Sequence, residues 1–252
     1  HVLRDNQKIA DIMNEYGGLI GIGTRVHSYP HSWRSHAPVI YRNAAQWFVS
    51  MGDEHVDGTG LRSVALDALQ NTDFYPVSGQ KRLISMIENR PDWCLSRQRA
   101  WGVPIPVFYH KQTGEPLRDQ AVVDRIVSVF AEEGCDVWFT SPAARFLGAD
   151  YNEADYIQVK DIADVWFDSG STHAFVLETR EDLQSPADLY LEGSDQHRGW
   201  FHSSLLESCG TRGQAPYKGV LTHGFVLDEQ GRKMSKSLGN VVAPQKLSLI
   251  HI

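Results

Sequence analysis

Long apolar runs are missing from this chain: no stretch approaches the roughly 20 residues a membrane-spanning helix requires. The start carries no signal-peptide pattern either, so a soluble, cytoplasmic protein is expected. Cysteine is scarce. Cys94, Cys135 and Cys209 lie far apart and form no C-x-x-C pair, which excludes a disulfide framework and a thiolate zinc site and fits a reducing compartment. An excess of positive charge is absent as well. With 24 basic against 31 acidic residues the net charge is −7, so any contact with nucleic acid must come from a local basic patch. There is no internal repeat and no low-complexity tract. What remains, 252 residues with 42% hydrophobic and 22% charged content, is an ordinary globular composition able to bury a sizeable core. The first residue is His1 rather than Met and the chain stops at His251-Ile252 just after a helix-opening pattern, so a fragment of a longer protein is expected.

Residues 3 to 16 carry Leu3, Ile9, Ile12, Met13 and Tyr16 at helical spacing, ended by Gly17-Gly18. From Ile20 to Phe48 short β-like pieces follow, punctuated by Pro30 and Pro38, with the best strands expected at Val39-Ile40-Tyr41 and Trp47-Phe48-Val49. Amphipathic helices are predicted over 59–70 and 79–89, and another over 119–133 with Val122, Val123, Ile126, Val127 and Phe130 inward. Between them, residues 101–109 read as an extended segment and turn. In the last third, Val165-Trp166-Phe167, Leu189-Tyr190-Leu191 and Gly219-Val220-Leu221 read as buried strands, with a helix over about 199–208 between the second and third. That alternation predicts a parallel α/β sheet whose ligands sit beyond the carboxyl ends of the strands.

Two sequence features promise chemistry. Lys233-Met234-Ser235-Lys236-Ser237, bracketed by Gly231 and Gly239, places two flexible ammonium groups on a loop, suited to following a triphosphate as its charge shifts. By itself such a run is more often a solvated basic turn. The second is Glu192-Gly193-Ser194-Asp195-Gln196-His197-Arg198-Gly199-Trp200 after a buried strand. Gly193 admits a flat ligand, while Glu192 and Asp195 offer carboxylates to an ammonium and a ribose. Gln196 and Trp200, four apart, would share one helix face. Taken singly, Asp195 as a helix cap and Trp200 as core packing are the plainer readings.

Together with Leu221-Thr222-His223-Gly224-Phe225-Val226, the segment from Arg90-Pro91-Asp92-Trp93 through Arg97-Gln98-Arg99-Ala100-Trp101-Gly102, and Asp164-Val165-Trp166-Phe167-Asp168-Ser169-Gly170, these runs resemble the class I aminoacyl-tRNA synthetases, within them the isoleucyl branch. The resemblance extends from near the start to about Lys246. It implies an α/β fold: the second half of a Rossmann-like parallel-sheet nucleotide-binding domain with inserted connective segments, preceded by the end of a β-rich editing domain. In these terms residues 1–55 are the editing remnant and return stalk, 56–110 the re-entry helices and strand, 111–160 a connective insertion, and 161–246 the half-domain with the lysine loop. Residues 247–252 depart from the family pattern and read as a truncation artefact. The resemblance also implies roles. Lys236 contacts ATP phosphates with Lys233 assisting, and Gly193 and Asp195 lie against adenosine. His223 and Val226 border adenine. Glu192 holds the α-ammonium, and Gln196, Trp166 and Trp200 line the amino-acid pocket. The implied substrates are L-isoleucine, ATP with Mg2+, and tRNA(Ile), handled by a monomer.

Two departures stand out. No His-x-Gly-His tetrapeptide occurs in the chain, so the partner half of the phosphate site is not encoded and the chain alone is expected to be inactive. Ser32 and Ser35 stand where many relatives carry zinc-binding cysteines, so no zinc is expected there, and His31 and His36 read as surface or packing residues. The open alternatives are valyl or leucyl specificity and a non-catalytic nucleotide- or RNA-binding module.

Overall fold

Apolar runs of the chain's last third fold into parallel strands, and the periodic stretches before them into helices that cover one face. The computed structural model describes residues 5–32, 35–41, 43–52 and 60–248. Leu3, Trp33, Arg34, Thr59 and the tail from Leu249 onward, which entered the expectations above, lie outside the described residues. The chain divides into two compact units, His1–Ala45 and Gln46–Ile252.

In the first unit, helix α1 spans Asn6–Glu15. Of its apolar set only Ala10 is buried, and Ile9, Ile12 and Met13 are 54%, 52% and 45% exposed. The strand expected at Val39–Tyr41 does not form. Instead, among the described residues, His31 and Pro38 form one antiparallel bridge, with Ser32 N donating to Ala37 O at 2.8 Å and Val39 N to Pro30 O at 3.1 Å. Proline 38 has no N–H to extend a ladder, so pairing stops at one bridge.

The second unit runs β1 (Phe48–Val49), α2 (Leu61–Gln70), β2 (Asp73–Tyr75), α3 (Ser78–Glu88), β3 (Trp93–Cys94), β4 (Ser96–Arg97) and β5 (Phe108–His110). It continues through α4 (Gln120–Glu133), α5 (Val137–Thr140), α6 (Ala144–Leu147), β6 (Tyr156–Gln158), β7 (Ile162–Ala163) and α7 (Val165–Gly170). Last come β8 (Ala187–Gly193), α8 (Trp200–Arg212), β9 (Tyr217–His223) and α9 (Pro244–Ser248). The main sheet has the order β2-β9-β8, all parallel, with Phe74 opposite Val220 and Leu191 opposite Leu221. Three antiparallel pairs, β1 with β3, β4 with β7 and β5 with β6, tie the intervening segments together.

Two strand expectations are corrected. Val165-Trp166-Phe167 is not a strand but the opening of α7, because the Asp164 carboxylate caps it by accepting from Trp166 N at 3.2 Å. The third parallel strand is β2, whose Asp-Phe-Tyr sequence has one buried residue, Phe74, and so gives no apolar run to read. Helix α4 also turns differently from expectation. Val122 and Ile126, four apart, are buried, but Val123 and Val127, one step round the helix, are exposed.

The main core joins Tyr190, Tyr217 and Val220 of the sheet to Phe201, Leu205 and Leu206 of α8, with Leu69 of α2 and Leu83 and Ile87 of α3 against them. Helix α8 is buried nearly all round, since the sheet covers one face and α2 and α7 cover others. A second core lies under α4 to α6 around Trp138, whose ring meets Phe108 at 5.0 Å and Phe146 at 4.9 Å between centroids.

Candidate active site at the strand ends

Parallel pairing brings the carboxyl ends of β8 and β9 side by side, with Glu192 opposite Thr222 and Gly193 opposite His223. The Asp195 side chain folds back over this point. A Cβ added at Gly193 would lie 2.6 Å from Asp195 Oδ1 and 3.8 Å from His223 Cε1. Glycine is therefore required for the carboxylate and the imidazole to stand this close to the backbone. Glu192 is exposed, its Oε2 accepting from Gly193 N at 3.2 Å. Gly193, Asp195 and His223 thus form one cluster beyond the sheet, where open α/β sheets place their ligands.

Past Gly193 the chain makes a 3-10 turn, Ser194–Arg198, rather than entering the helix directly. His197 anchors that turn: its Nδ1 lies 2.7 Å from Ser194 O, and its Nε2 packs so near Gly79 of α3 that a Cβ there would be 3.0 Å away. Gln196 and Trp200 consequently do not share a helix face. They meet because the Gln196 amide oxygen accepts from Trp200 N at 3.0 Å, capping α8. Nor is Asp195 the cap. Trp166 completes the group, since a Cβ at Gly199 would lie 2.5 Å from Gln196 Oε1 and 2.8 Å from the Trp166 ring. Substituting Gly199→Ala is expected to displace the Trp166 indole, measurable as a red shift of tryptophan emission. An unchanged spectrum would count against the packing of Trp166 on Gly199.

Trp200 is half-buried and faces the core on one side, stacked on Tyr190 with centroids 4.0 Å apart and planes 6° from parallel. Its Nε1 donates to Ser169 O at 3.0 Å, linking α8 to α7. The same junction buries two carboxyls. Burial, reinforced by Asp168, pushes Glu207 up to about 9, and burial with Asp164 raises Asp168. Burial, helped by the Arg90 charge, holds His202 down at about 3. The two effects oppose in sign. Above its ordinary 4.5 an unfolded Glu207 releases a proton that the folded chain keeps, so stability falls as pH rises toward about 9. Below its ordinary 6.5 an unfolded His202 takes up a proton that the folded chain refuses, so stability falls as pH drops. Thermal melts are therefore expected to weaken from pH 6.5 to 9, and Glu207→Gln should flatten that limb; a variant that weakens in parallel with the wild type would refute the assignment.

Sequence reasoning missed the residues that orient Trp166. Asp164 takes Arg97 NH2 at 2.5 Å and Trp93 Nε1 at 3.3 Å on Oδ2 while capping α7 with Oδ1. Arg97 in turn donates to Cys94 O and Ser96 O at 2.7 and 2.9 Å. An aspartate immediately before a helical run was the available signal. These residues wall a cleft of about 300 Å³ that also reaches Trp166, Gly199 and His202.

The lysine run forms a hairpin beginning just past His223. Leu227 bridges Lys233, and Met234 N donates to Val226 O at 2.9 Å. Asn240 staples it, giving its amide to Asp228 Oδ2 at 2.8 Å and accepting from Ser235 N at 2.9 Å. The Asn240 hydrogen bond, with those from the Arg232 backbone and side chain, holds Asp228 below the usual carboxylate range. Lys233 Nζ sits 3.5 Å over the Phe225 ring, and Lys236 and Val226 are exposed. Among the described residues no hydrogen bond or ion pair joins either lysine to the strand-end cluster. Asn240→Ala is expected to raise the amide exchange rate of Ser235 several-fold while leaving that of the sheet unchanged; equal exchange at Ser235 would exclude the staple.

Among the described residues no group of three or more His, Cys, Asp or Glu side chains could hold a metal ion. No helix among them is long and apolar enough to cross a membrane.

The chain is 57% identical over 247 residues to an isoleucine–tRNA ligase of Pelagibacter ubique, covering 98% of this chain and 27% of that protein. It is 61% identical over 241 residues to an isoleucine–tRNA ligase of Mesorhizobium japonicum, covering 95% and 24%. It thus spans about a quarter of the length of the curated relatives it matches. Among solved structures, the methionyl-tRNA synthetase of Mycobacterium tuberculosis bound by methionyl-adenylate aligns at TM-score 0.48 and 19% identity, over 89% of this chain and 34% of that one. The family model of the class I tRNA synthetases (I, L, M and V) matches residues 4–249, and with the parallel strand ends, the Trp166–Gln196 wall and the lysine hairpin inside that span, the chain belongs to this family.

Proposed function

We propose that this chain is the lysine-loop half of the catalytic domain of an isoleucine–tRNA ligase. The observation that carries the reading is the convergence of Gly193, Asp195 and His223 at two parallel strand ends, next to Gln196 and Trp166 around Gly199. Relatives named isoleucine–tRNA ligase at 57–64% identity support the isoleucine assignment. Residues 1–55 would be the end of an editing domain and its stalk, 56–110 the re-entry elements, 111–160 a connective insertion and 161–246 the Rossmann-like half-domain. The complete protein would work in the cytoplasm as a monomer.

In the reaction, the isoleucine carboxylate attacks the α-phosphorus of ATP in line and pyrophosphate leaves. The acyl group then passes from the adenylate to a hydroxyl of the terminal ribose of tRNA(Ile), releasing AMP. Glu192 holds the α-ammonium, a charge-assisted contact that fixes the direction of the attacking carboxylate. Asp195 accepts from the ribose hydroxyls of adenosine, whose base lies against Gly193 and is bordered by His223 and Val226. Trp166 and Trp200, with Gln196, bound the branched side chain and exclude water from it. Lys236, assisted by Lys233, neutralises charge building on the departing phosphates; Mg2+ enters with ATP as part of the substrate. Isoleucine-dependent exchange of labelled pyrophosphate into ATP, run on the full-length protein that carries this chain, tests the reading. Exchange driven preferentially by valine or leucine would sink the isoleucine assignment.

A further inference from the structure

A cavity of about 390 Å³ lies between α7, α8 and the π-helical turn His173–Leu177 that follows α7. Its walls are mostly apolar, with Leu61, Trp93, Phe167, Ala174 and Leu206 among them. No residue of the strand-end cluster lines it, and it shares only Trp93 with the cleft beside Trp166. Arg212, His173 and Glu207 give it a charged and polar side. Arg212 is already taken up, its Nε and Nη2 donating to the Glu178 carboxylate at 3.0 and 2.7 Å. His173, 2% exposed, turns Nδ1 to Gly170 O at 3.1 Å, so that nitrogen carries the proton and Nε2 keeps a bare lone pair. Glu207 lies against the Gly170 backbone, where an added Cβ would collide with its Oε1. Among the described residues His173 Nε2 and Glu207 Oε1 are both buried without a hydrogen-bond partner, and so is Oδ1 of Asp168.

The open positions select one kind of ligand. An ionised Glu207 and a neutral His173 both offer acceptors, so the group that completes them must donate and accept nothing. Burial, reinforced by Asp168, disfavours a lone carboxylate at Glu207 and pushes it up to about 9. Burial also lowers His173, which keeps its ring neutral. A cation beside Glu207 reverses the first effect, because an opposite charge favours the ionised form. An ammonium has three N–H donors and no acceptor, which fits both positions, and an apolar body fits the walls. A carboxylate or phosphate fits neither. The one cation among the described lining residues is Arg212, held by Glu178, while Glu207 and Asp168 supply negative charge.

We propose that this cavity binds a primary ammonium carried on a small apolar body, with Glu207 as its counter-ion and His173 Nε2 as its second acceptor. The site is separate from the strand-end cluster and does not depend on the aminoacyl-transfer reading above. Binding moves a proton. Glu207, protonated at neutral pH while unpaired, ionises as the ammonium arrives and gives its proton to solvent. Affinity therefore rises from pH 7 to 9 and falls once the amine loses its own proton near about 10.4, the usual range of an alkylammonium. The charged and titratable groups around Glu207 are Asp168 of α7, His173 and Glu178 after it, and Arg212 of α8. To the same cavity α2, β1 and β3 bring only Leu61, Val49 and Trp93.

The test uses the full-length protein that carries this chain and 4-phenylbutylamine as the probe, with 4-phenylbutanol and 4-phenylbutyrate as isosteres that remove the charge or reverse it. Isothermal titration calorimetry at pH 7.5, in two buffers of different ionisation heat, reads affinity and proton release together. The amine is expected to release close to one proton on binding. The alcohol should bind at least about tenfold more weakly, since a charge-assisted hydrogen bond is lost, and the butyrate should not bind. Glu207→Gln should weaken the amine at least about tenfold and abolish the proton release, because an amide has no proton to give up. Methyl NMR locates the probe through shifts of the Ala174 and Leu206 methyl resonances, and the same resonances without probe show that Glu207→Gln keeps the cavity. Glu192→Gln, at the strand ends, should leave the amine's affinity within about twofold of wild type. Equal affinity for the alcohol, binding without proton release, or unchanged affinity in Glu207→Gln would overturn the proposal. So would displacement of the amine by saturating L-isoleucine, which would place the ammonium at the strand ends instead.

Discussion

Lys236→Ala in the full-length protein is expected to cut isoleucine-dependent pyrophosphate exchange by about two to three orders of magnitude, the usual cost of removing one preorganised group from a developing charge. The side chain is exposed and, among the described residues, makes no hydrogen bond or ion pair, so its loss leaves the fold intact and removes only an ammonium free to reach a ligand. Lys233 differs. Its ammonium rests on the face of Phe225, an attraction that must be given up before it can follow a phosphate, so Lys233→Ala should cost less. If both variants exchange as fast as the wild type, the hairpin has no part in activation. If Lys233→Ala is the more damaging, the assisting role belongs to Lys236 instead.

Trp138→Ala should destabilise the chain by about 3–5 kcal/mol, the range for emptying a large buried aromatic site. Trp138 is fully buried, meets Phe108, Phe130 and Phe146, and its Nε1 donates to Val159 O at 2.7 Å. Its own carbonyl accepts from Gln158 Nε2 at 2.6 Å and Lys160 Nζ at 3.1 Å. One residue therefore joins α5 to the β5–β6 pair both by packing and by polar contacts. The loss should appear in urea melts and in amide exchange of β6 before that of β8 and β9, because the Trp138 cluster is separate from the main core. Trp138→Phe should lose less, keeping most of the apolar volume. A melt shifted equally at β6 and β8 would show that the two cores unfold as one.

How much of this was legible beforehand depends on element length. Helices α2, α3 and α4 were readable because ten or more residues repeat the 3.6-residue pattern. Strands β8 and β9 were readable as apolar runs ending in glycine or polar residues. Strand β2 was not, since three residues with one buried side chain carry no pattern. Val165-Trp166-Phe167 misled in the opposite direction: an apolar run reads as a strand until the capping aspartate before it is counted.

The same division holds for the candidate site. Sequence alone determined which chemical groups are present: two lysines between glycines, a Glu-Gly-x-Asp strand end, indoles, and the family they resemble. It also limited any RNA contact to a local patch, because the net charge of −7 rules out attraction by the whole surface. Only the tertiary structure decided which groups meet. Register between β8 and β9 set Gly193 beside His223, and the turn at Ser194–Arg198, not helical spacing, set Gln196 on Trp200. Asp164 and Arg97, 67 positions apart, fixed the helix that carries Trp166. His173 and Glu207 came to line one cavity only once α7 packed against α8. Residue type and spacing report local preference, whereas distances between segments follow from which apolar faces bury one another, and that is settled only when the whole core packs.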